Sequence, residues 1–527
     1  MTHRADPVAV PPPSPPQDPP PPPAAEVVDD RPHDGRTVRG AVLWSYLLGG
    51  GQMVLHGGVT LLLAAILLPE VFGVMALALT WVTFAQMLLH EGPALAVIQR
   101  ADVNDRHLTA AFVVNLITAA LIATVFVAVA PLWAAAVKLP ELTWLCWALA
   151  PVILLHALIV VPDAILRRQM RMRRLQARLL TATAVSSAVA VGAALAGLGV
   201  WALVLQHLTA AVLSAVLLWA SSPWRPRRGP IRPALRDLRR FSVLSISDFL
   251  AGFISSRADA ILAGLFFHPL ALGLYRFSLR IVEMGSELAF DGIRQVTVPH
   301  LSRLQDQRAE FEDQLGKLVH AGAVLAVPAL GILAGAALPL LTLLGEEWIA
   351  GTNTLRLLCL FGVVACVSNL LGPAIQAAGR PGIAAAIGWI SAGVAAALLI
   401  TVGLWYGGAA TTDQALAMAA AMLGAQLVTA LLTLCWAIRG VLRLRLGPIL
   451  GPAAPALLAA VAAAASGIAA GRLGADQFPA LAGLLVTGTA GALAAGAVLF
   501  GLDARFVARV RQLLNRSSSP TNGQPAT

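Results

Sequence analysis

The stretch LTWLCWALAPVILLHALIVV, residues 142–161, is twenty residues long and carries no charged side chain. An α-helix needs about 20 apolar residues to cross the hydrocarbon core of a bilayer, which is about 30 Å thick. A helix that is apolar on all sides over this length has no polar face to turn toward water. The stretch therefore predicts a membrane-spanning helix.

Stretches of similar length and composition recur along the chain, each bounded by charged residues or by Pro and Gly. The fourteen predicted spans lie near residues 41–66, 70–90, 109–131, 142–163, 177–198, 201–220, 241–266, 270–297, 318–344, 354–378, 382–406, 413–438, 449–470 and 478–500. In the whole chain 58% of residues are hydrophobic, 12% are charged, and the mean hydropathy is +0.76. These values exclude the soluble classes and predict an all-α polytopic membrane protein.

The positive charge of the chain fits a membrane topology better than nucleic-acid binding. The net charge is +10, and most Lys and Arg lie in short segments between predicted spans. With the N-terminus in the cytoplasm, 30 of the 37 Lys and Arg fall on the cytoplasmic side, and two, Lys138 and Arg472, fall outside. Because cytoplasmic loops are enriched in Lys and Arg, this distribution predicts both termini in the cytoplasm and no nucleic-acid partner.

Basic and Pro-rich segments divide the chain. The predicted organisation is a Pro-rich disordered cytoplasmic tail (1–40), an N-terminal lobe of six helices (41–220), a basic cytoplasmic linker (221–240), a C-terminal lobe of six helices (241–438), two further helices (439–500) and a basic cytoplasmic tail (501–527). Two six-helix lobes are typical of a transporter built from related halves, although no clear sequence repeat supports the symmetry. The four cysteines lie in apolar stretches without metal-ligand spacing, so no metal site is expected.

One predicted span breaks the apolar rule. The stretch YRFSLRIVEMGSELAFDGIRQ, residues 275–295, contains six charged residues, which are Arg276, Arg280, Glu283, Glu287, Asp291 and Arg294. At 100° per residue, all six fall within an arc of about 80° on one helix face. A charge at the bilayer centre costs roughly 2.5–3.5 kcal/mol even on the gentler insertion scale, so this face must contact protein or water.

Three explanations of the charged face stay open. The charges could pair with each other along the helix, or the cytoplasmic end of the helix could emerge into water near Asp291. The third explanation, which we favour, is a hydrated cavity for a polar or anionic substrate, because Arg side chains suit phosphate and carboxylate groups. The seventh span offers a matching face with Asp248 and Asp259, while Arg257 lies on the opposite side of that helix.

Three segments also resemble a known family. They are PEVFGVMALALTWVTFAQMLLHEGPALAVIQR (69–100), DAILAGLFFHPLALGLYRFSLRIVEM (259–284) and NLLGPAIQAAGRPG (369–382). The first is similar to the P-E-x-F-G turn and A-x-I-Q-R ending of oligosaccharide and polysaccharide flippases in the multidrug/oligosaccharidyl-lipid/polysaccharide exporter superfamily. The other two resemble that family's D-x-x-L-x-G…L-G-x-Y-x-x-A-x-R and A-x-G-R segments. The chain departs from the pattern at HEGP (90–93) and at Arg276.

The resemblance implies a flippase for a lipid-linked oligosaccharide, usually linked to polyprenyl diphosphate, acting in cell-surface polysaccharide biosynthesis. It implies alternating access between two lobes in the bacterial inner membrane. The substrate-binding residues that it suggests are Arg257, Arg276, Arg280 and Arg294 for anionic groups, with Asp248, Asp259, Glu283 and Glu287 orienting them, binding sugar hydroxyls or carrying protons. The expected partners are the lipid-linked glycan, membrane lipids and other polysaccharide-assembly proteins. No cofactor is expected, and proton coupling, sodium coupling and downhill consumption of the flipped lipid stay open.

Three other functions fit the sequence less well than a flippase. A drug or metabolite exporter of the same superfamily calls for an aromatic cavity, whereas only 6% of residues are aromatic. A membrane polymerase or ligase needs a sizeable outer loop with paired carboxylates or a metal, and each predicted outer loop has at most about a dozen residues. A non-enzymatic scaffold would require the charged face to be paired and dry. We therefore expect a transporter and not an enzyme.

Overall fold

The computed structural model describes residues 35–90, 104–169, 171–222, 224–227, 260–305, 307–474, 479–503 and 506–507. The described residues form helices and turns without β-strands, which confirms the predicted all-α class. Eleven described helices are long and apolar enough to cross a membrane, and Gly50–Ile66 is a shorter apolar helix. The chain is therefore a multi-pass membrane protein.

Thirteen long helices occur in the described part of the chain. They are α1 (Gly35–Ile66), α2 (Pro69–Leu89), α3 (Asp105–Ala136), α4 (Leu142–Arg168), α5 (Met172–Leu195), α6 (Val200–Ser221), α7 (Pro269–Leu301), α8 (Arg308–Gly335), α9 (Thr352–Ala377), α10 (Pro381–Tyr406), α11 (Thr411–Leu431), α12 (Ala454–Gly474) and α13 (Ala480–Leu502). A π-helical segment, Leu432–Val441, extends α11. Each corresponds to a predicted span, whereas most of the seventh span, 241–266, lies outside the described residues.

The predicted span 318–344 is interrupted in the structure. Helix α8 ends at Gly335, and a separate short helix covers Ala337–Leu344. The cause is Pro339, because a proline ring inside a continuous helix clashes with the carbonyl four residues earlier, here that of Gly335. Within the first turn of a new helix, the missing N–H of Pro339 has no intrahelical partner to lose. Reading this stretch as a single span was wrong.

The ends of several helices follow from local sequence. Pro69 and Pro381 stand at the first turns of α2 and α10, where the fixed φ of proline favours the helix. The start of α3 is a capping box, in which the Asn104 side chain accepts from the backbone N–H groups of Arg106 and His107, both at 3.1 Å. Such caps satisfy donors that the first helical turn leaves unpaired.

The helices pack in sequence-local groups. Helix α1 packs on α5, α3 on α4, and α6 on both α4 and α5. Further along the chain α9 packs on α7, α8 and α11, and the pair α12–α13 packs on α8. The main contact between the earlier and later helices is that of α2 with α7. The domain boundaries proposed from the sequence remain a prediction.

A buried ion pair joins α4 to α5. The Arg178 guanidinium donates to the Asp163 carboxylate at 3.1 Å, and the two side chains are only 7% and 4% exposed. Arg167, which is nearer the surface, also pairs with Asp163. From the sequence, Arg178 was counted with the cytoplasmic charges that set topology. The structure shows that it is also part of the protein interior.

Candidate functional site

A cavity lies between α1, α2, α6 and α7, with a volume of about 290 Å³. Its wall is formed by His56, Thr60 and Leu63 from α1, Phe72, Met75, Ala76, Leu79, Thr80 and Thr83 from α2, Leu203, Gln206 and His207 from α6, and Arg276, Leu279, Arg280 and Glu283 from α7. Small-molecule sites in proteins commonly have volumes of about 300–1,000 Å³, so the cavity is at the lower end of that range.

The charged face of α7 forms one wall of this cavity. Arg276, Arg280 and Glu283 line it, so the structure brings together three of the eight residues that we predicted to bind substrate. The Arg280 guanidinium lies 3.6 Å from the Glu283 carboxylate, and these side chains are 37% and 44% exposed. The charges therefore pair along the helix and also line a cavity, as two of the explanations left open by the sequence require. Use of this cavity by a substrate remains a prediction.

The remaining five predicted residues are not described. Asp248, Arg257 and Asp259 lie outside the described residues, as do the side chains of Glu287 and Arg294 within α7. The substrate-binding role of all eight residues remains a prediction.

The wall that faces α7 is polar but uncharged. His56, Gln206 and His207 line it, together with threonines of α1 and α2. The charge pattern of the sequence does not single out these residues, because a single His or Gln in an apolar span usually bonds to a neighbouring helix. The adjacent pair Gln206–His207, within the otherwise apolar α6, was the signal available in the sequence.

Helices α2 and α7, which both line the cavity, cross with their backbones in contact. A Cβ atom on Gly73 would overlap the carbonyl oxygen of Pro269, and one on Gly273 would overlap that of Pro69. The contact is reciprocal, and each helix contributes a proline at its first turn with a glycine four residues later. This pairing is a short local repeat that the sequence interpretation overlooked. Glycine is required at both positions because the backbones touch.

Aromatic side chains surround this crossing. The rings of Phe72 on α2 and Phe277 on α7 are 5.7 Å apart, and Trp348 packs against Phe277 at 4.3 Å. The Trp348 indole also donates a buried hydrogen bond of 2.8 Å to the Ala64 carbonyl in α1. These contacts tie helices from the earlier and later parts of the chain together at one end of the cavity.

Many apolar helices around a cavity with charged and polar side chains in its wall form a polytopic membrane fold of the kind that transporters use. The sequence pattern of one family, described as polysaccharide biosynthesis protein, matches residues 62–352. This range includes α2 to α8 and therefore the crossing of α2 and α7. The chain belongs to this family of polysaccharide biosynthesis proteins.

Two relatives have named roles. The succinoglycan biosynthesis transport protein ExoT of Rhizobium meliloti (strain 1021) is 28% identical over 331 residues, which cover 62% of this chain and 66% of the relative. The teichuronic acid biosynthesis protein TuaB of Bacillus subtilis (strain 168) is 23% identical over 312 residues, covering 57% of this chain and 63% of the relative. The chain thus matches just under two thirds of the length of each relative.

Solved structures share the fold. The lipid II flippase MurJ in its inward closed conformation has a TM-score of 0.65 at 13% identity, covering 88% of this chain and 99% of MurJ. An inward-facing multidrug resistance transporter of the MATE family has a TM-score of 0.57 at 15% identity, covering 73% and 94% of the two chains. At these identities the likeness concerns the fold alone.

Proposed function

We propose that this chain is a flippase that moves a polyprenyl diphosphate-linked oligosaccharide from the inner to the outer leaflet of the bacterial inner membrane. The observation that carries the proposal is the position of Arg276 and Arg280 in the wall of a cavity inside a membrane-spanning bundle. Two guanidinium groups can bind a diphosphate through paired, charge-assisted hydrogen bonds. The family of polysaccharide biosynthesis proteins, and a relative described as a succinoglycan biosynthesis transport protein, support a role in saccharide transport.

The proposed mechanism is alternating access. With the N-terminus in the cytoplasm, as the Lys and Arg distribution predicts, the first turns of α2 and α7 lie on the outer side. The crossing at Gly73 and Gly273 then closes the cavity toward the outside. The headgroup would enter from the cytoplasmic leaflet, and separation of α2 from α7 would release it outward. A proton gradient, a sodium gradient and consumption of the product outside are the alternative driving forces.

The proposal is tested by reconstituting the protein in liposomes and following a fluorescent decaprenyl-diphosphate glycan from one leaflet to the other. We expect Arg280→Ala to slow translocation at least tenfold, because the diphosphate loses one of its cationic partners. Arg303→Ala is the matched control, since Arg303 is exposed in the turn after α7 and outside the cavity. Equal rates for the two variants would remove Arg280 from the site, and no movement by the wild-type protein would overturn the function.

A further inference from the structure

The cavity has two chemically different walls. The α7 wall carries Arg276, Arg280 and Glu283, so its described side chains have a formal net charge of +1. The facing wall contributes His56, Gln206 and His207, and no carboxylate or arginine among the residues that line it. A ligand that fits both walls at once has an anionic part and a neutral part rich in hydrogen-bonding groups.

Hydrogen bonds within the helices determine what the threonines of the neutral wall offer. The Thr60 hydroxyl donates to the His56 carbonyl at 2.8 Å, and the Thr80 hydroxyl donates to the Ala76 carbonyl at the same distance. Since a hydroxyl has one donor and two acceptor lone pairs, both oxygens keep acceptor capacity for the cavity. Gln206 and His207 add an amide and an imidazole, which supply N–H donors as well as acceptors. The wall therefore offers donors and acceptors together.

The two walls are close enough for one headgroup to contact both. His56 lies within electrostatic range of Arg280, and His207 lies within electrostatic range of His56. All three side chains line one cavity of about 290 Å³, so a ligand bound at Arg280 lies near the wall of α6.

We propose that Gln206 and His207 determine specificity by hydrogen-bonding the saccharide of the lipid-linked substrate, while the arginines of α7 hold its diphosphate. This division of the cavity rests on the proposed flippase function. The chemical reason is that a sugar presents neutral hydroxyl groups that both donate and accept, as the α6 wall does, whereas a diphosphate presents only acceptors. A site built to hydrogen-bond such groups discriminates against a ligand that lacks them.

The experiment separates the two walls. Purified protein is mixed with decaprenyl diphosphate and with decaprenyl diphosphate carrying glucose, galactose or N-acetylglucosamine, and the bound species are measured by native mass spectrometry. We expect the wild-type protein to favour at least one sugar-bearing lipid over the bare lipid. Gln206→Leu and His207→Phe should each reduce that preference about tenfold, by weakening binding of the sugar-bearing lipids more than binding of the bare lipid. Arg280→Ala should weaken binding of all four lipids.

Gln426→Leu is the matched control, because Gln426 bonds to Ser368 outside the cavity, and its loss should leave the preference as in the wild type. The proposal is overturned if wild-type protein binds bare and sugar-bearing lipids equally, or if the Gln206 and His207 variants keep the wild-type preference. Failure of the wild-type protein to bind any of the four lipids would instead count against the flippase function. Circular dichroism confirms that each variant is folded.

Discussion

Arg178 and Arg280 are arginines within membrane helices, but the structure gives them different surroundings. The Arg178 side chain is 7% exposed and is held by Asp163, whereas the Arg280 side chain is 37% exposed and faces the cavity. A buried charge with a fixed partner contributes to the folded structure. An accessible one at a cavity wall can bind a ligand, since its charge is not shielded by protein on every side. Sequence alone does not show this difference in burial.

The first prediction at the residue scale concerns the loss of Arg178, the buried partner of Asp163. Arg178→Met should destabilise the protein by about 3–5 kcal/mol, because it removes the buried partner of the Asp163 carboxylate. Arg167→Met should cost at most about 1 kcal/mol, because the Arg167 side chain is 45% exposed and solvent screens its charge. The measurement is the thermal unfolding temperature in detergent. Equal shifts for the two variants would contradict the assignment of Arg178 as the main partner.

At the scale of helices, α2 and α7 cross with their backbones in contact. Of the contacts made by glycines in the described part of the chain, this is the closest one between the earlier and later helices. Gly73 touches the backbone at Pro269, and Gly273 touches it at Pro69. Each glycine leaves space for the first turn of the other helix, as expected for two elements related by a local two-fold axis. Membrane helices use small residues in this way because apolar side chains gain little by leaving lipid, so close packing supplies the attraction.

The reciprocal geometry predicts a reciprocal effect of mutation. Gly73→Ala and Gly273→Ala should each destabilise the protein by about 1–3 kcal/mol, because the new methyl group forces the backbones apart. The double variant should cost less than the sum, since the first substitution already opens the crossing. Gly192→Ala in α5 is the control, because a Cβ there meets no atom within 4 Å. Strict additivity in thermal unfolding experiments would contradict a shared crossing.

At the scale of the whole molecule, contacts at one end of the cavity join the earlier helices to the later ones. Trp348, which lies in the short helix Glu346–Ile349 between α8 and α9, bonds to Ala64 in α1 and packs on Phe72 and Phe277. These contacts must separate if the cavity is to open on that side. Alternating access then corresponds to a movement of the earlier helices against the later ones, and its equilibrium depends on this cluster.

Weakening the contacts of Trp348 should favour opening of the cavity toward the outside. Trp348→Phe removes the donor to the Ala64 carbonyl and keeps an aromatic ring, so we expect a larger fraction of molecules open to the outside. The measurement is labelling of Thr83→Cys, in the cavity wall, by a membrane-impermeant thiol reagent added to intact cells, with the exposed Cys435 changed to Ser. Labelling should rise severalfold with Trp348→Phe.

Thr401→Cys, on the exposed surface of α10 and outside the cavity, is the control for nonspecific labelling. The outer-closure hypothesis fails if Trp348→Phe leaves the labelling of Thr83→Cys unchanged. Strong labelling from outside without the Trp348 substitution would show that the cavity already opens to that side.

The sequence by itself determined the membrane class and the charged face of α7. An uncharged apolar stretch of about 20 residues has the length and composition of a helix that crosses the bilayer core. The helical period alone places Arg276, Arg280 and Glu283 on one side of α7. Pro339 marked a possible helix break, but the sequence did not distinguish it from Pro151 or Pro328, which lie inside continuous helices.

Only the tertiary structure decided which residues face those charges and which positions touch across the molecule. His56, Gln206 and His207 come from helices far apart in the sequence, and their approach to Arg280 depends on how α1 and α6 pack beside α7. The contact of Gly73 with Gly273 and the burial of Arg178 against Asp163 likewise depend on long-range packing. Helix periodicity fixes where a side chain points on its own helix, but it carries no information about the neighbouring helix.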